Sequence, residues 1–288
     1  FKDKNGNPPI ITANSVVANP DFTKIKEVNY EKYFYEPITE TLNKYPKTDF
    51  SLWKRGMELN IFHPQFHGRE HLNIFRWMNK LKEGSKEVHT AFDYDFFGIS
   101  KTISNEKNPS FMAAYDADSE AELIEMKKII EQGLSLFNYI FKFPSKSFIA
   151  PNYILPKSLE PILKSNGIDI FQGNYVQNWK KEIQCNYTGK RNEYQQIYLV
   201  RNIMFEPSSS QSIDWVDKAL YQINKAFLQK RPAIICSHRV NFIGRIFKEN
   251  RDRNLILLHL LLQNILKNWP DVEFMSSDKL GELIINEL

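Results

Sequence analysis

The chain has 288 residues, of which 42% are hydrophobic and 14% aromatic, and its formal net charge is +4 at pH 7. This length and composition are typical of a folded globular protein with a substantial core, and they exclude a disordered chain. Basic and acidic residues are mixed along most of the sequence, so nucleic acid is not an expected partner. No apolar run reaches the ~20 residues needed to span a bilayer, and two cysteines cannot form a disulfide framework.

Short β-rich runs alternate with stretches of helical periodicity along the chain. The predicted strands lie at 9–17, 57–63, 147–151, 168–173, 197–205, 232–238 and 272–277. The predicted helices cover 72–82, 118–142, 157–166, 214–229, 252–268 and 277–286. This alternation predicts an α/β fold with a parallel sheet, closed as a barrel or left open, and helices outside it. We expect a single domain over residues 1–288.

Residues with capping chemistry mark several of the predicted helix ends. Ser119 begins the long helix, with Glu122 in its first turn. Gly167 closes the helix that starts at 157, and Pro270 stops the helix that starts at 252.

Polar residues of the kinds that build sites follow the ends of the predicted strands. They are His63, His67, Asn152, Tyr153, Arg201, Asn202, Glu206, His238 and Arg239. In parallel α/β folds the working groups come from loops at the carboxyl ends of the strands. We therefore expect these side chains to meet at one edge of the sheet.

Three of the six histidines lie within nine positions, in the stretch FHPQFHGREH. If a helix begins near Gly68, His67 and His71 stand at i and i+4 on one face, close enough to share a divalent ion. The proline after His63 favours an extended backbone there, so His63 reaches inward from the strand end. The alternative is a pair of surface or capping histidines beside an exposed Glu70. The third histidine and the strand-end position favour a metal site.

The string HGREH also matches H-x-x-E-H, the motif of inverted zincin proteases. In those enzymes both histidines bind zinc within a helix, and the glutamate, here Glu70, is the general base. Gly68 and the strand-like run before it interrupt such a helix. A zinc peptidase is therefore a second enzymatic hypothesis.

Four segments, in this order, resemble the polysaccharide deacetylase family, the NodB-type carbohydrate esterases. They are GMELNIFHPQFHGREH, FIAPNYILPKSLEPILKSNGIDIF, RPAIICSHRVNF and WPDVEFMSSDKLGELI. They are similar to the strand leading to the family's metal pair, its Arg-x-Pro-Tyr strand and following helix, its catalytic-histidine strand, and its last strand and helix. Together they cover most of residues 52–288.

The resemblance implies a distorted (β/α) barrel that removes acetyl groups from a polysaccharide or oligosaccharide with a divalent metal, for which zinc suits histidine and carboxylate ligands. It implies His67 and His71 as metal ligands, with His63 replacing His71 in the other register of the motif. It implies His238 as the general acid that protonates the leaving group.

Further roles follow from the same resemblance. Arg239 would hold the acid or the sugar, and Glu206 would serve as a base. Arg201, Asn202, Tyr153 and Trp179 would bind the substrate, since sugars need flat aromatic rings beside hydrogen-bonding groups. The alternative for Arg201, Glu206 and Arg239 is a structural role in a network of ion pairs around the rim of the barrel.

The chain departs from the family pattern in two places. The family's first motif, an Asp-Asp pair at the end of the first strand, has no counterpart before His63, because Asp21 falls in a turn. The chain starts like a processed or truncated protein, so we expect that motif upstream of Phe1, a barrel incomplete at its N-terminus and an undetermined compartment. The arginine of Arg-x-Pro-Tyr is also missing from IAPNY. These departures leave open a deacetylase-like carbohydrate-binding protein without catalysis.

Overall fold

The structure is a computed structural model that describes residues 1–45, 50–99, 110–179 and 182–287. Its strands are β1 (Ile11–Ser15), β2 (Ala18–Pro20), β3 (Tyr35–Pro37), β4 (Phe62–Phe66), β5 (Ser147–Phe148), β6 (Ile170–Gly173), β7 (Val176–Trp179), β8 (Glu182–Cys185), β9 (Ile197–Val200), β10 (Ile203–Met204) and β11 (Ile235–Cys236). Its helices are α1 (Phe22–Glu27), α2 (Ile38–Asn43), α3 (Ser51–Glu58), α4 (Ile74–Lys82), α5 (Lys86–Asp93), α6 (Glu120–Phe141), α7 (Glu160–Ser165), α8 (Trp215–Leu228), α9 (Lys248–Asn268) and α10 (Ser277–Glu287). Short 3₁₀ turns lie at Pro151–Tyr153, Lys157–Leu159 and Arg239–Phe242.

Five strands form a parallel sheet in the order β1-β4-β5-β6-β9. Strands β10 and β11 form a separate parallel pair, whereas β2–β3 and β7–β8 are antiparallel pairs. The predicted mixed α/β class is therefore confirmed. Because the sheet is parallel, the carboxyl ends of its strands lie at one edge, where this fold class carries its sites.

The main apolar core lies between the sheet and α6. Helix α6 contributes Ile130 and Phe137, the strands contribute Phe66 and Phe148, and all four side chains are fully buried. A glycine marks the closest approach, since a Cβ at Gly133 would lie 2.7 Å from Cζ of Phe66. Helix α6 therefore packs directly against the carboxyl end of β4.

A second core joins helices α8 and α9 to strand β10. Its fully buried members include Ile203, Phe205, Ile223 and Leu261. This core supports the β10–β11 pair, from which the segment leading to His238 emerges.

Helix α10 lies at the amino-terminal ends of the strands. The backbone N of Ser277 donates to Oγ1 of Thr12 in β1 at 2.9 Å. A Cβ at Gly281 would overlap the side chain of Ile170 in β6, so glycine is needed for this close packing. Helix α10 therefore covers the end of the sheet opposite to the candidate site.

All six predicted helices are present, with ends shifted by a few residues. The capping predictions are confirmed: Oγ of Ser119 accepts from the backbone N of Glu122, and Gly167 has a φ of +87°. The predicted strand 57–63 is largely wrong, because α3 runs to Glu58 and β4 begins at Phe62. Residues 272–277 form no strand, since they pair with no neighbour in a ladder. No helix in the described ranges is both long and apolar enough to cross a membrane.

Candidate functional site

The stretch between β4 and α4 carries the first candidate residues. Strand β4 ends one residue before His67, and α4 begins only after its N-cap Asn73, whose Oδ1 accepts a backbone N–H of the first turn. Residues 67–73 are therefore a loop, and the prediction that His67 and His71 share a helix face is wrong. Gly68 has a φ of +123° and turns the chain out of the strand. The helix begins only at the buried Asn73, which caps its first turn.

The two histidine rings nevertheless meet within this loop. The ring centroids of His67 and His71 lie 4.9 Å apart at an angle of 73°. Nδ1 of His67 lies 2.7 Å from the carbonyl oxygen of Ile149, to which it donates, so Nε2 is left as the acceptor. Nδ1 of His71 is buried and has no hydrogen-bond partner among the described residues. Donation of one ring N–H to a carbonyl is the usual arrangement of a metal-binding histidine.

A buried ion pair between these two histidines fixes the loop. Nε of Arg69 donates to Oε1 of Glu70 at 2.7 Å, and both side chains are at most 4% exposed. Tyr33 also donates to Glu70, Gln132 accepts from Arg69, and the ring of Tyr35 lies 4.2 Å from the guanidinium carbon. Burial raises the pKa of Glu70 despite these hydrogen bonds. Its carboxylate is thus engaged in holding the loop, and the helical H-x-x-E-H that a zincin needs is absent from this segment.

His63 lies elsewhere on the same strand. Its Nε2 is 3.0 Å from Oδ2 of Asp278 in α10, and its ring stacks on Phe143 at 5.1 Å. Four residues of extended chain, about 13 Å, separate His63 from His67. The structure therefore does not bring His63 together with the His67–His71 pair.

His238 and Glu206 form a second cluster, after strands β11 and β10. Nδ1 of His238 donates to Oε1 of Glu206 at 2.7 Å, and Nδ2 of Asn241 donates to Oε2 at 2.8 Å. Cys236 is buried, with Sγ 3.8 Å from Oε1 of Glu206, and burial raises its thiol pKa. The His238 side chain is 61% exposed, whereas that of Glu206 is 12% exposed. The carboxylate therefore holds an imidazole whose other nitrogen is free to face a ligand.

Charges of the second cluster act on His67 and His71. Burial, followed by the charges of His71, Arg201 and His238, lowers the pKa of His67 to about 4. Burial, together with the charge of Arg239, lowers the pKa of His71. Because such effects weaken with distance, we infer that the two clusters lie near each other.

Arg201 and Tyr153 extend this site along the sheet. The guanidinium carbon of Arg201 lies 5.2 Å from the centroid of the Tyr153 ring, and its buried Nε has no partner among the described residues. Burial lowers the pKa of Arg201. Asn152 and Tyr153 have φ values of 54° and 58°, a left-handed conformation that is costly for such residues. A buried cation from a neighbouring segment therefore lies beside the Tyr153 ring of the IAPNY stretch.

The remaining two predicted substrate-binding residues do not strengthen the site. Nδ2 of Asn202 donates to the carbonyl of Pro232, and Oδ1 accepts from the backbone N of Ile234. This amide therefore joins the residue before β10 to the segment that leads into β11. The side chain of Trp179 lies outside the described residues, although its backbone belongs to β7.

The chemistry of this edge fits a divalent metal in part. His67 and His71 provide two adjacent imidazoles, one of them with an orphaned buried nitrogen. The neighbouring strand β1 ends in Asn14 and Ser15, an amide and a hydroxyl in place of carboxylates. Among the described residues, the grouping of three or more potential ligand side chains is Glu206, Cys236 and His238. In that grouping Glu206 already accepts from His238 and Asn241, whereas Nδ1 of His71 has no partner among the described residues, so we treat the histidine pair as the first metal candidate.

Sequence reasoning missed two residues that support the site. Asn241 is fully buried and orients Glu206, and the buried Arg69 organises the histidine loop. Asn241 and Arg69 lie close in sequence to His238 and His67, and this proximity is the signal that could have identified them as supporting residues. The direction in which their side chains point depends on tertiary packing, which the sequence does not display.

Comparisons with known proteins leave the family open. No protein-family model and no curated protein matches the chain. Among solved structures, it is similar to IcaB from Ammonifex degensii at 8% sequence identity and a TM-score of 0.27. The match covers 43% of this chain and 39% of that chain, well under two thirds of its length. The function must therefore be argued from the residues of the site.

Proposed function

We propose that this chain is a metal-dependent hydrolase that removes acetyl groups from a polysaccharide or oligosaccharide. The observation that carries the proposal is the presence of two histidine clusters: the adjacent rings of His67 and His71, and the imidazole of His238, which is held by Glu206 and whose charge acts on His67. Acetyl transfer to water needs a site for an activated water and an acid for the leaving group, and these clusters offer one of each.

His67 and His71 would hold the metal, and zinc suits their imidazole nitrogens. When bound, such an ion lowers the pKa of coordinated water and polarises a carbonyl oxygen. The contact from His67 to Ile149 fixes the ring orientation, and the low pKa of His67 keeps its imidazole neutral and able to bind.

His238 would donate a proton to the leaving amine or alcohol through its exposed Nε2. Glu206 fixes the tautomer and stabilises the imidazolium, which changes its predicted role from base to positioning residue. Arg201 and Arg239 place positive charge near the histidines, where an oxyanion would be stabilised. Tyr153, stacked with Arg201, offers an aromatic surface for a sugar ring.

We also propose that the strands belong to one distorted barrel in a single domain. The support is the chain order: β10 follows β9 after two residues, and β11 pairs with β10 in parallel. The β10–β11 pair would then continue the curvature of the five-stranded sheet.

A second candidate function is carbohydrate binding without catalysis. It is favoured by Asn14 and Ser15 at the end of β1, since neither side chain offers a carboxylate to a metal or to water. A zinc peptidase is less well supported, because Glu70 is buried in its pair with Arg69 and cannot act as the base without breaking it.

One experiment separates these functions. Purified protein and a His67→Ala variant are analysed for bound metal and for acetate release from acetylated oligosaccharides, with casein hydrolysis as the peptidase assay. His259→Ala, an exposed histidine of α9 beside Phe1, is the matched control. We expect metal and acetate release in the parent and control and neither in His67→Ala. Saccharide binding without acetate release would instead favour the binding protein.

A further inference from the structure

In the β7–β8 hairpin, the two residue pairs whose side chains the structure describes are reversed relative to a hairpin that covers a core. Val176 lies opposite Cys185, and both are exposed. Gln177 lies opposite Gln184, and both are half-buried on the inner face. A hairpin that covers a sheet normally turns apolar side chains inward. An inward pair of amides is typical of a surface that faces water or a polar ligand.

These amides line a cleft between the hairpin and the sheet, which we call the hairpin cleft. It is lined by aromatic and amide side chains, among them Phe148, Tyr153, Phe171, Gln177, Gln184 and Tyr198. The space in the cleft that the centre of a water molecule can occupy is about 30 Å³, and the empty volume around it, which includes open solvent, is about 530 Å³. A ligand larger than a few water molecules would therefore lie at the opening of the cleft and reach inward with its polar groups.

A hydrogen-bond network holds the two amides in place. Oε1 of Gln177 accepts from Asn186, and Nε2 of Gln184 donates both to Asn186 and to the hydroxyl of Tyr198. Tyr198 in turn donates to Glu160 at 3.3 Å. Within the described residues, Nε2 of Gln177 and Oε1 of Gln184 have no hydrogen-bond partner, so a donor and an acceptor remain for a ligand. A sugar hydroxyl both donates and accepts, and it matches this pair.

The charges that line the cleft and the backbone of β6 beside it also suit a neutral ligand. Lys157 and Glu160 at the cleft carry opposite charges, so the lining has no net charge to attract an ion. Gly173 makes room for the amide, since a Cβ there would lie 2.7 Å from Nε2 of Gln177. The position of Gln177 thus depends on a glycine in β6.

The cleft adjoins the histidine site. Ala150 lines the cleft, and the residue before it, Ile149, holds His67 through its carbonyl. Tyr153 lines the cleft and stacks on Arg201, whose charge acts on His67. A chain of linked rings could therefore occupy both places at once.

We propose that the hairpin cleft is a saccharide subsite that binds an uncharged sugar ring of the same chain whose acetyl group is removed at the histidine site. The catalytic half of this statement rests on the proposed function. The amide pair of Gln177 and Gln184 would bind the hydroxyl groups, and Tyr153 would contact the face of the ring.

The test measures binding by titration NMR with the full chain. The probes are tetra-N-acetylchitotetraose and cellotetraose, with a galacturonic acid trimer as the anionic comparison. Gln177→Leu removes the amide, Gly173→Ala displaces it while keeping the residue, and Gln263→Leu on the exposed face of α9 is the matched control. We expect at least one neutral probe to bind the parent and the control, and both cleft variants to bind it about tenfold more weakly. Thermal unfolding checks that each variant is folded.

Each result has a definite meaning. Failure of both neutral probes to bind, equal binding by parent and both folded cleft variants, or preference for the anionic trimer overturns the subsite. Binding that depends on Gln177 without any acetate release supports the subsite and removes the proposed hydrolase. If acetate release depends on His67, Gln177→Leu should raise KM for the acetylated tetramer about tenfold with unchanged kcat. An unchanged KM would overturn the subsite and leave the hydrolase intact.

Discussion

Nδ1 of His238 donates to Oε1 of Glu206 at 2.7 Å, although 32 residues separate them in the chain. Asn241 donates to the second carboxylate oxygen, so the pair is fixed from both sides. Such a contact selects the tautomer in which Nε2 faces the ligand, and it stabilises the protonated ring.

Glu206→Gln should therefore lower kcat for acetate release by about 10²-fold, within the range for a positioned acid or base. KM should change little, because the glutamine removes charge without altering the volume near the sugar. Steady-state kinetics on an acetylated oligosaccharide measure both constants, with Glu249→Gln in the first turn of α9 as the control. A kcat within twofold of the parent would show that Glu206 does not assist His238.

Glu70→Gln tests whether the glutamate of HGREH is structural. Replacing the carboxylate leaves Arg69 as an unpaired buried cation, so the free energy of unfolding should fall by about 3 kcal/mol. The fully folded fraction should retain acetate release, since Glu70 faces Arg69 and Tyr33. Urea unfolding and kinetics on the same preparation measure the two effects. Loss of activity with unchanged stability would instead support a catalytic base.

Asp278→Asn should reveal a pH-dependent contribution of α10. Burial alone would raise the pKa of Asp278, but the contacts with His63 and Ser276 together outweigh it and the pKa falls to about 2. A carboxylate whose pKa lies below its ordinary value stabilises the fold above pH ~4, and this stabilisation disappears as pH falls through about 2.

The expected contribution of Asp278 at pH 7 is about 2 kcal/mol. Urea unfolding of parent and variant at several pH values between 7 and 2 should show this difference shrink in acid. Asp252→Asn, which removes an exposed pair with Arg251, should change stability by less than about 1 kcal/mol. A parent–variant difference that is constant with pH would contradict the assignment.

Gly133→Ala tests the packing of α6 beneath the histidine loop. The new methyl would lie 2.7 Å from Phe66 and 3.0 Å from Cβ of Arg69, so the neighbours must move. We expect destabilisation by about 1–2 kcal/mol, because overpacking outweighs the better helix propensity of alanine. Ser135→Ala, at an exposed position of the same helix, should not destabilise the protein. Thermal unfolding measures the loss of stability, and metal affinity measures any effect on the histidine loop. An unchanged melting temperature would contradict the predicted destabilisation.

The sequence predicts which residues are candidates for the site, but it does not predict how they are arranged. The sequence predicts His67, His238 and Arg201 because they follow strand ends of a parallel sheet, and it predicts His71 from its spacing to His67. The structure places the rings of His67 and His71 side by side. His63 is a third predicted ligand, but the extended rise of β4 carries it away to Asp278. Spacing along a chain does not reveal whether four residues span a helical turn or an extended segment.

The α/β class, the six predicted helices and the capping of α6 by Ser119 follow from the sequence alone, because periodicity and capping are local properties. The sequence does not reveal that α3 continues through Glu58 or that α5 forms at Lys86–Asp93, since amphipathic packing overrides weak local preferences. Tertiary packing determines which nitrogen of His67 is engaged, that Glu206 faces His238, and that Glu70 is buried with Arg69. These relationships join segments far apart in the chain or depend on burial, and both arise only when the helices and the sheet pack together.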